Sequence, residues 1–145
     1  MVESAEVGAL NANVESVEGG PVSLTIADEV FRSRILAGLG DPENILIIRS
    51  ITKESKTAVT ISSETHIPAS TVYRKLVDLK EMGLVVRDRI EIKEGKRLSY
   101  YKAAFSEIRL KSVGGSLRLE LVPTTGAVNR AWLGLLWGRS LPEGT

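Results

Sequence analysis

Four apolar side chains, Val72, Leu76, Leu79 and Met82, fall at i, i+4, i+7 and i+10 and draw one continuous stripe along a single helix. The spacing predicts a helix over about 69–82, closed by Gly83 where a left-handed cap belongs. Its other face is polar: Ser70, Thr71, Tyr73, Arg74, Lys75 and Asp78. Just ahead, Ala58, Ile61 and Thr65 mark a helix of about two turns, joined to the longer one by a tight connection. Just behind, Leu84 to Ile92 and Arg97 to Ala103 are strand-like around the turn Lys93–Glu94–Gly95–Lys96, a hairpin with a basic tip.

Two further helices precede this set. Asp41–Pro42–Glu43 supplies an N-cap, a proline at the first helical position and a first-turn acid. Ile45, Ile48 and Ile51 make the buried stripe of that helix, with Leu46 and Ile47 widening it. Before it, Val30, Phe31, Arg34, Ile35 and Leu39 recur at helical spacing behind a Thr25/Asp28 start, and Gly38 and Gly40 are expected to break the helix. Helix, short helix, turn, longer helix, hairpin is the winged helix-turn-helix order.

Here the chain resembles archaeal and bacterial winged-helix transcriptional regulators of the broad ArsR, MarR and TrmB type. The likeness covers about 39–104. It is carried by Leu39–Gly40–Asp41–Pro42, by Thr65–His66–Ile67–Pro68–Ala69–Ser70–Thr71–Val72–Tyr73–Arg74–Lys75–Leu76, by Glu81–Met82–Gly83–Leu84–Val85, and by Tyr100–Tyr101. The resemblance implies a DNA-binding regulator, usually dimeric, whose third winged-domain helix enters the major groove. Relatives usually carry glycine where His66 stands, because the residue ending the first helix of the pair tends to positive φ; histidine is among the residues enriched there. His66 is read as a turn residue, with a titrating sensor as the alternative.

The physical reading agrees. Polar side chains near the start of a helix laid in the major groove reach base edges while the apolar stripe grips the domain. Ser70, Thr71, Tyr73 and Arg74 are so placed; Arg74 can donate two hydrogen bonds to guanine, and Lys75 is expected to meet phosphate. On the wing, over about 85–103, Lys93, Lys96 and Arg97 suit contact with the backbone or minor groove. Charge is distributed to match. Residues 1–41 hold 2 basic against 7 acidic side chains, residues 42–105 hold 12 against 8, and residues 106–145 hold 5 against 3.

The flanks complete an α+β fold: a winged helix-turn-helix with an additional C-terminal β-hairpin and flanking helices. Residues 1–20 are acidic and poor in apolar side chains, and are read as a disordered tail. Residues 21–104 form the DNA-binding domain with its N-terminal helix. In 105–145, Ile108, Leu110, Leu117, Leu119 and Leu121 give a second hairpin one apolar face around Gly114–Gly115, and Val128, Trp132, Leu135 and Leu136 mark a last short helix. These elements are expected either to make a homodimer or to cover the same chain's core.

Composition excludes much else. The 145-residue chain has no cysteine and one histidine, which rules out disulfides, thiolate sensing and any zinc site of two or more Cys or His ligands. No catalytic triad or phosphate-binding glycine loop is present, and acidic pairs on the wing such as Asp88 with Glu91 read as solvated surface, so no enzyme and no cofactor are expected. No targeting signal and no apolar run near the roughly 20 residues of a membrane helix occur, so a cytoplasmic location and no membrane partner are expected. The expected partner is double-stranded DNA, with a small-molecule effector left open. A winged-helix module for protein–protein assembly, docking through the Trp132/Trp137 helix, is the alternative function.

Overall fold

The computed structural model describes residues 12–16 and 22–124, with side chains from Ser23 onward. In chain order the elements are β1 (Ala12–Ser16), β2 (Val22–Ile26), α1 (Glu29–Leu39), α2 (Pro42–Ser50), α3 (Ala58–Thr65), α4 (Ala69–Glu81), β3 (Val85–Lys93), β4 (Lys96–Ala103), β5 (Phe105–Val113) and β6 (Ser116–Pro123). The fold is mixed α+β with two antiparallel sheets. Among the described residues the chain divides into two compact units, Leu36–Ala104 and the segments on either side of it.

In the unit Leu36–Ala104, α2, α3 and α4 lie against the β3–β4 hairpin. Each helix begins for a local reason. Asp41 caps α2, its Oδ1 accepting from the Glu43 N–H at 2.9 Å, and Pro42 takes the first helical position, where no N–H is needed. Thr57 caps α3, accepting from the Thr60 N–H at 3.2 Å. α4 carries the predicted stripe: Val72, Leu76, Leu79 and Met82 are all buried. Gly83 follows at φ +76°, the left-handed cap that the sequence places there.

The loop between α2 and α3 is stitched to the wing. Lys56 and Tyr101 exchange backbone hydrogen bonds at 3.0 and 2.8 Å, and the Ala103 N–H donates to the Ile51 carbonyl at 3.0 Å. Three strand-like segments thereby hold the wing's root against the helices.

Two expectations for this unit change. α1 runs through Gly38 to Leu39 rather than breaking at Gly38. A Cβ at Gly38 would lie 2.6 Å from the Met82 sulfur, so the glycine serves a close approach and not a helix end. The stripe of α2 centres on Asn44, Ile47 and Ile51, while Ile45 and Ile48 are half-buried and Leu46 is exposed. Asn44 turns inward with its Nδ2 donating to the Gly38 carbonyl at 2.9 Å, which pairs the donor side of the buried amide, although its Oδ1 has no partner among the described residues, and rotates the helix by one position.

In the other unit the sheet order is β1-β2-β6-β5, all neighbours antiparallel. The register sets Leu24 opposite Leu121, Ile26 opposite Leu119 and Leu110 opposite Leu119, so the apolar positions of three strands share one face. Leu24, Ile26, Leu119 and Leu121 are buried. Asp28 caps α1, which begins in this unit, its Oδ1 accepting from the Phe31 N–H at 2.7 Å. Ala12–Ser16 is a strand, where composition points to a disordered tail: its backbone forms an antiparallel ladder with β2. β2 pairs with the second hairpin and so belongs to its unit, where the sequence alone groups it with the winged segment. Residues 1–11, 17–21 and the helix expected around Trp132 and Trp137 lie outside the described residues.

Candidate nucleic-acid interface

α4 presents an outward face at 70, 73, 74 and 77, spaced i, i+3, i+4 and i+7 and opposite the stripe at 72, 76 and 79. Ser70, Tyr73 and Arg74 are exposed, as expected, and Thr71 is half-buried on the flank. No acid lies in the first turn of α4, and the carboxylates Asp78 and Glu81 belong to its C-terminal half. The positive end of the helix dipole and the exposed guanidinium of Arg74 therefore act together at the N-terminal half. No ion pair or hydrogen bond holds the Arg74 side chain among the described residues.

Lys75 is placed differently from the expectation. It sits on the flank of α4 next to the buried stripe, its side chain 14% exposed, and its Nζ bonds to Asp41 Oδ2 at 2.5 Å and lies 3.5 Å from Glu43 Oε1. The ammonium is occupied by two carboxylates of the α2 N-terminus instead of facing outward to a phosphate. That hydrogen bond holds the Asp41 carboxyl below its ordinary value and raises the Lys75 ammonium above its own. The pair ties the N-terminus of α2 to α4, the helix that carries Arg74.

His66 ends α3 in the left-handed region, at φ 62° and ψ 19°, its N–H bonding the Ser62 carbonyl at 2.9 Å. The turn between α3 and α4 thus has the left-handed backbone that glycine adopts without steric cost. The Ser62 hydroxyl donates to the Ile67 carbonyl at 2.6 Å and closes the turn from the other side.

On the wing, Glu94 at φ 53° and Gly95 at φ +74° make the two-residue turn, both residues left-handed as such a turn requires. Lys93 and Lys96 face each other directly across the strands. Arg97 pairs with Ile92, one position on, and so projects from the opposite face of the ribbon. The three cations of the tip are divided between its two sides. Lower down, Arg89 stacks over Tyr100 with its guanidinium 3.9 Å from the ring centroid, and it donates to Glu91 at 2.8 Å and to the Ser55 hydroxyl at 2.8 Å. Arg89 braces the wing against the α2–α3 loop, and its hydrogen bond holds the Glu91 carboxyl below the ordinary value.

Three residues on these surfaces were not anticipated. Val77 is 57% exposed on the outward face of α4, where a polar residue would be the ordinary choice, and the i+7 spacing from Ser70 could have located it. Ile92 is 79% exposed beside the wing tip, on the face that carries Arg97. Arg87 is exposed just before a bulge at Asp88, which re-aims the strand. The alternation of Ile90 and Ile92 with charged residues was the available signal for the wing.

Residues 51–105 match the family described as sugar-specific transcriptional regulator TrmB. That stretch takes in α3, α4 and both strands of the wing, and it coincides with the surface just described. The segment folds as a winged helix-turn-helix. The crystal structure of NolR from Sinorhizobium fredii is similar at a TM-score of 0.46 and 19% identity, over 53% of this chain and 72% of that one. No curated protein matches the chain. Among the described residues, no helix is long and apolar enough to cross a membrane.

Proposed function

We propose that the protein is a sequence-specific regulator of transcription that binds double-stranded DNA as a homodimer in the cytoplasm, without catalysis. α4 lies in the major groove with Ser70, Tyr73, Arg74 and Val77 toward the bases and Thr71 at the groove's margin. Arg74 donates both ends of its guanidinium to a guanine, and Val77 gives an apolar contact suited to a thymine methyl. The wing sets Lys93 and Lys96 on one strand's phosphates and Arg97, with Arg87, on the other side of the ribbon. Lys75 is removed from the contact set and becomes the residue that orients α4 through Asp41.

The observation that carries this reading is the outward face of α4: an exposed arginine with no intramolecular partner among the described residues, on a first turn free of carboxylates. Such a face has no structural use inside the unit. Its test is fluorescence anisotropy with a DNA fragment selected from a random pool. Arg74→Ala is expected to cost about 1–3 kcal/mol on the selected sequence and to flatten the preference at one base position. Lys96→Ala is expected to weaken all sequences about equally and to lower the salt slope by about one. An equal loss on every sequence for Arg74→Ala would refute base reading by that residue.

A further inference from the structure

Strand β5 is at one margin of its sheet, with no strand on its outer side among the described residues. A sheet margin leaves a row of backbone N–H and C=O groups without a ladder partner, and a long one is a template for another strand. β5 is nine residues long and carries no proline. On its apolar face Leu110 is 54% exposed, and Leu117 beyond it is 49% exposed. On its polar face the sequence runs Glu107, Arg109, Lys111, an acid followed by two bases.

The pattern reads the same way in both directions. We propose that a second copy of this chain pairs its β5 antiparallel to this one, about a two-fold axis through Arg109. In such a pair, residues opposite each other must share a face, so a residue and not a peptide bond sits on the axis. With Arg109 on the axis, Ile108 meets the partner's Leu110, and Glu107 meets the partner's Lys111. Both contacts occur twice. Moving the axis to Ile108 leaves Leu110 opposite a serine, Ser106, and moving it to Leu110 sets Arg109 against the partner's Lys111, like charge on like. Of these three registers, the Arg109 one alone makes two apolar pairs on one face and two acid–base pairs on the other; the Ile108 register keeps the acid–base pairs, Glu107 with the partner's Arg109, but makes a single apolar pair.

The central arginines tolerate their closeness. Each Arg109 already donates to Glu107 of its own strand at 2.8 Å and lies 3.8 Å from Glu120. Glu120 in turn serves three cations, with Lys111 and Arg118 each at 3.2 Å, so one carboxylate leaves positive charge on this face for the partner's Glu107 to meet. Joining the two margins gives one continuous sheet of eight strands with both copies of β5 at its centre.

The test is the oligomeric state of the full chain without DNA, by sedimentation velocity over a concentration series, so its outcome is separate from that of the DNA reading. The wild type is expected to dimerise. Glu107→Lys and Lys111→Glu should each raise the dimer dissociation constant by about tenfold or more, and the double exchange should restore it to within about threefold. A second probe uses the absence of cysteine from the chain. Arg109→Cys should form a disulfide-linked dimer under mild oxidation, because residues facing each other across an antiparallel pair lie about 4.5–5.5 Å apart at Cα, within disulfide reach. Ser106→Cys should not. A monomeric wild type, a double exchange as weak as the single ones, or cross-linking at Ser106 in place of Arg109 would each overturn the proposal.

Discussion

His66 occupies a backbone conformation that costs an ordinary L-residue roughly 1–2 kcal/mol, because its Cβ crowds the following carbonyl. His66→Gly is expected to leave the protein equally or more stable, by up to about 1 kcal/mol, since glycine's relief of strain is partly offset by its freedom in the unfolded chain. His66→Val should destabilise by about 1–2 kcal/mol or more, as branching at Cβ makes positive φ worse. Thermal denaturation of the two variants separates the conformational role from any role of the imidazole. This residue was legible in the sequence because its position between two helices dictates its φ. Lys75 was not: helical spacing says which residues lie near a face, but the choice between solvent and Asp41, 34 positions away, is made by packing.

Between α2 and α4 the Asp41–Lys75 pair does work that neither helix shows alone. Asp41 is held below the ordinary carboxylate value in the folded protein, so it binds a proton less readily there than in the unfolded chain. The stabilisation is present above the unfolded value of about 4 and is lost as pH falls from there through the depressed folded value. Asp41→Asn keeps an oxygen to accept from the Glu43 N–H but loses the charge. Its melting temperature should fall below that of the wild type at pH 7, and the gap should close as the pH is lowered past about 4; a gap independent of pH would assign the whole effect to the cap. Leu76→Ala, in the buried stripe of α4, should cost about 2–5 kcal/mol by leaving a cavity. At this scale the sequence was most informative. Caps, the α4 stripe, the wing turn and the second hairpin all depend on residues close in the chain. The face of α2 was misplaced by one position because a buried asparagine bonded to Gly38 outweighs isoleucine spacing.

The whole molecule combines a winged unit with a unit assembled from chain segments on both sides of it. The end of the wing at Ala103 and the new strand from Phe105 follow a change in local alternation that the sequence carries. The pairing of β2 with β6 was not, because local periodicity identifies a strand and its faces but carries nothing about a partner some 95 positions away. The same limit applies to function. The order of elements pointed to a nucleic-acid surface, while the division of Lys93, Lys96 and Arg97 between two sides of the wing required the register.

The central claim is that α4 and the wing bind a specific duplex. It is tested most directly by anisotropy of the full chain on a selected duplex and on its scrambled counterpart, each at two salt concentrations. The account predicts a preference of about a thousandfold or more for the selected duplex, with affinity for both falling steeply as salt rises. Equal affinity for the two, or no binding at low salt, would contradict it.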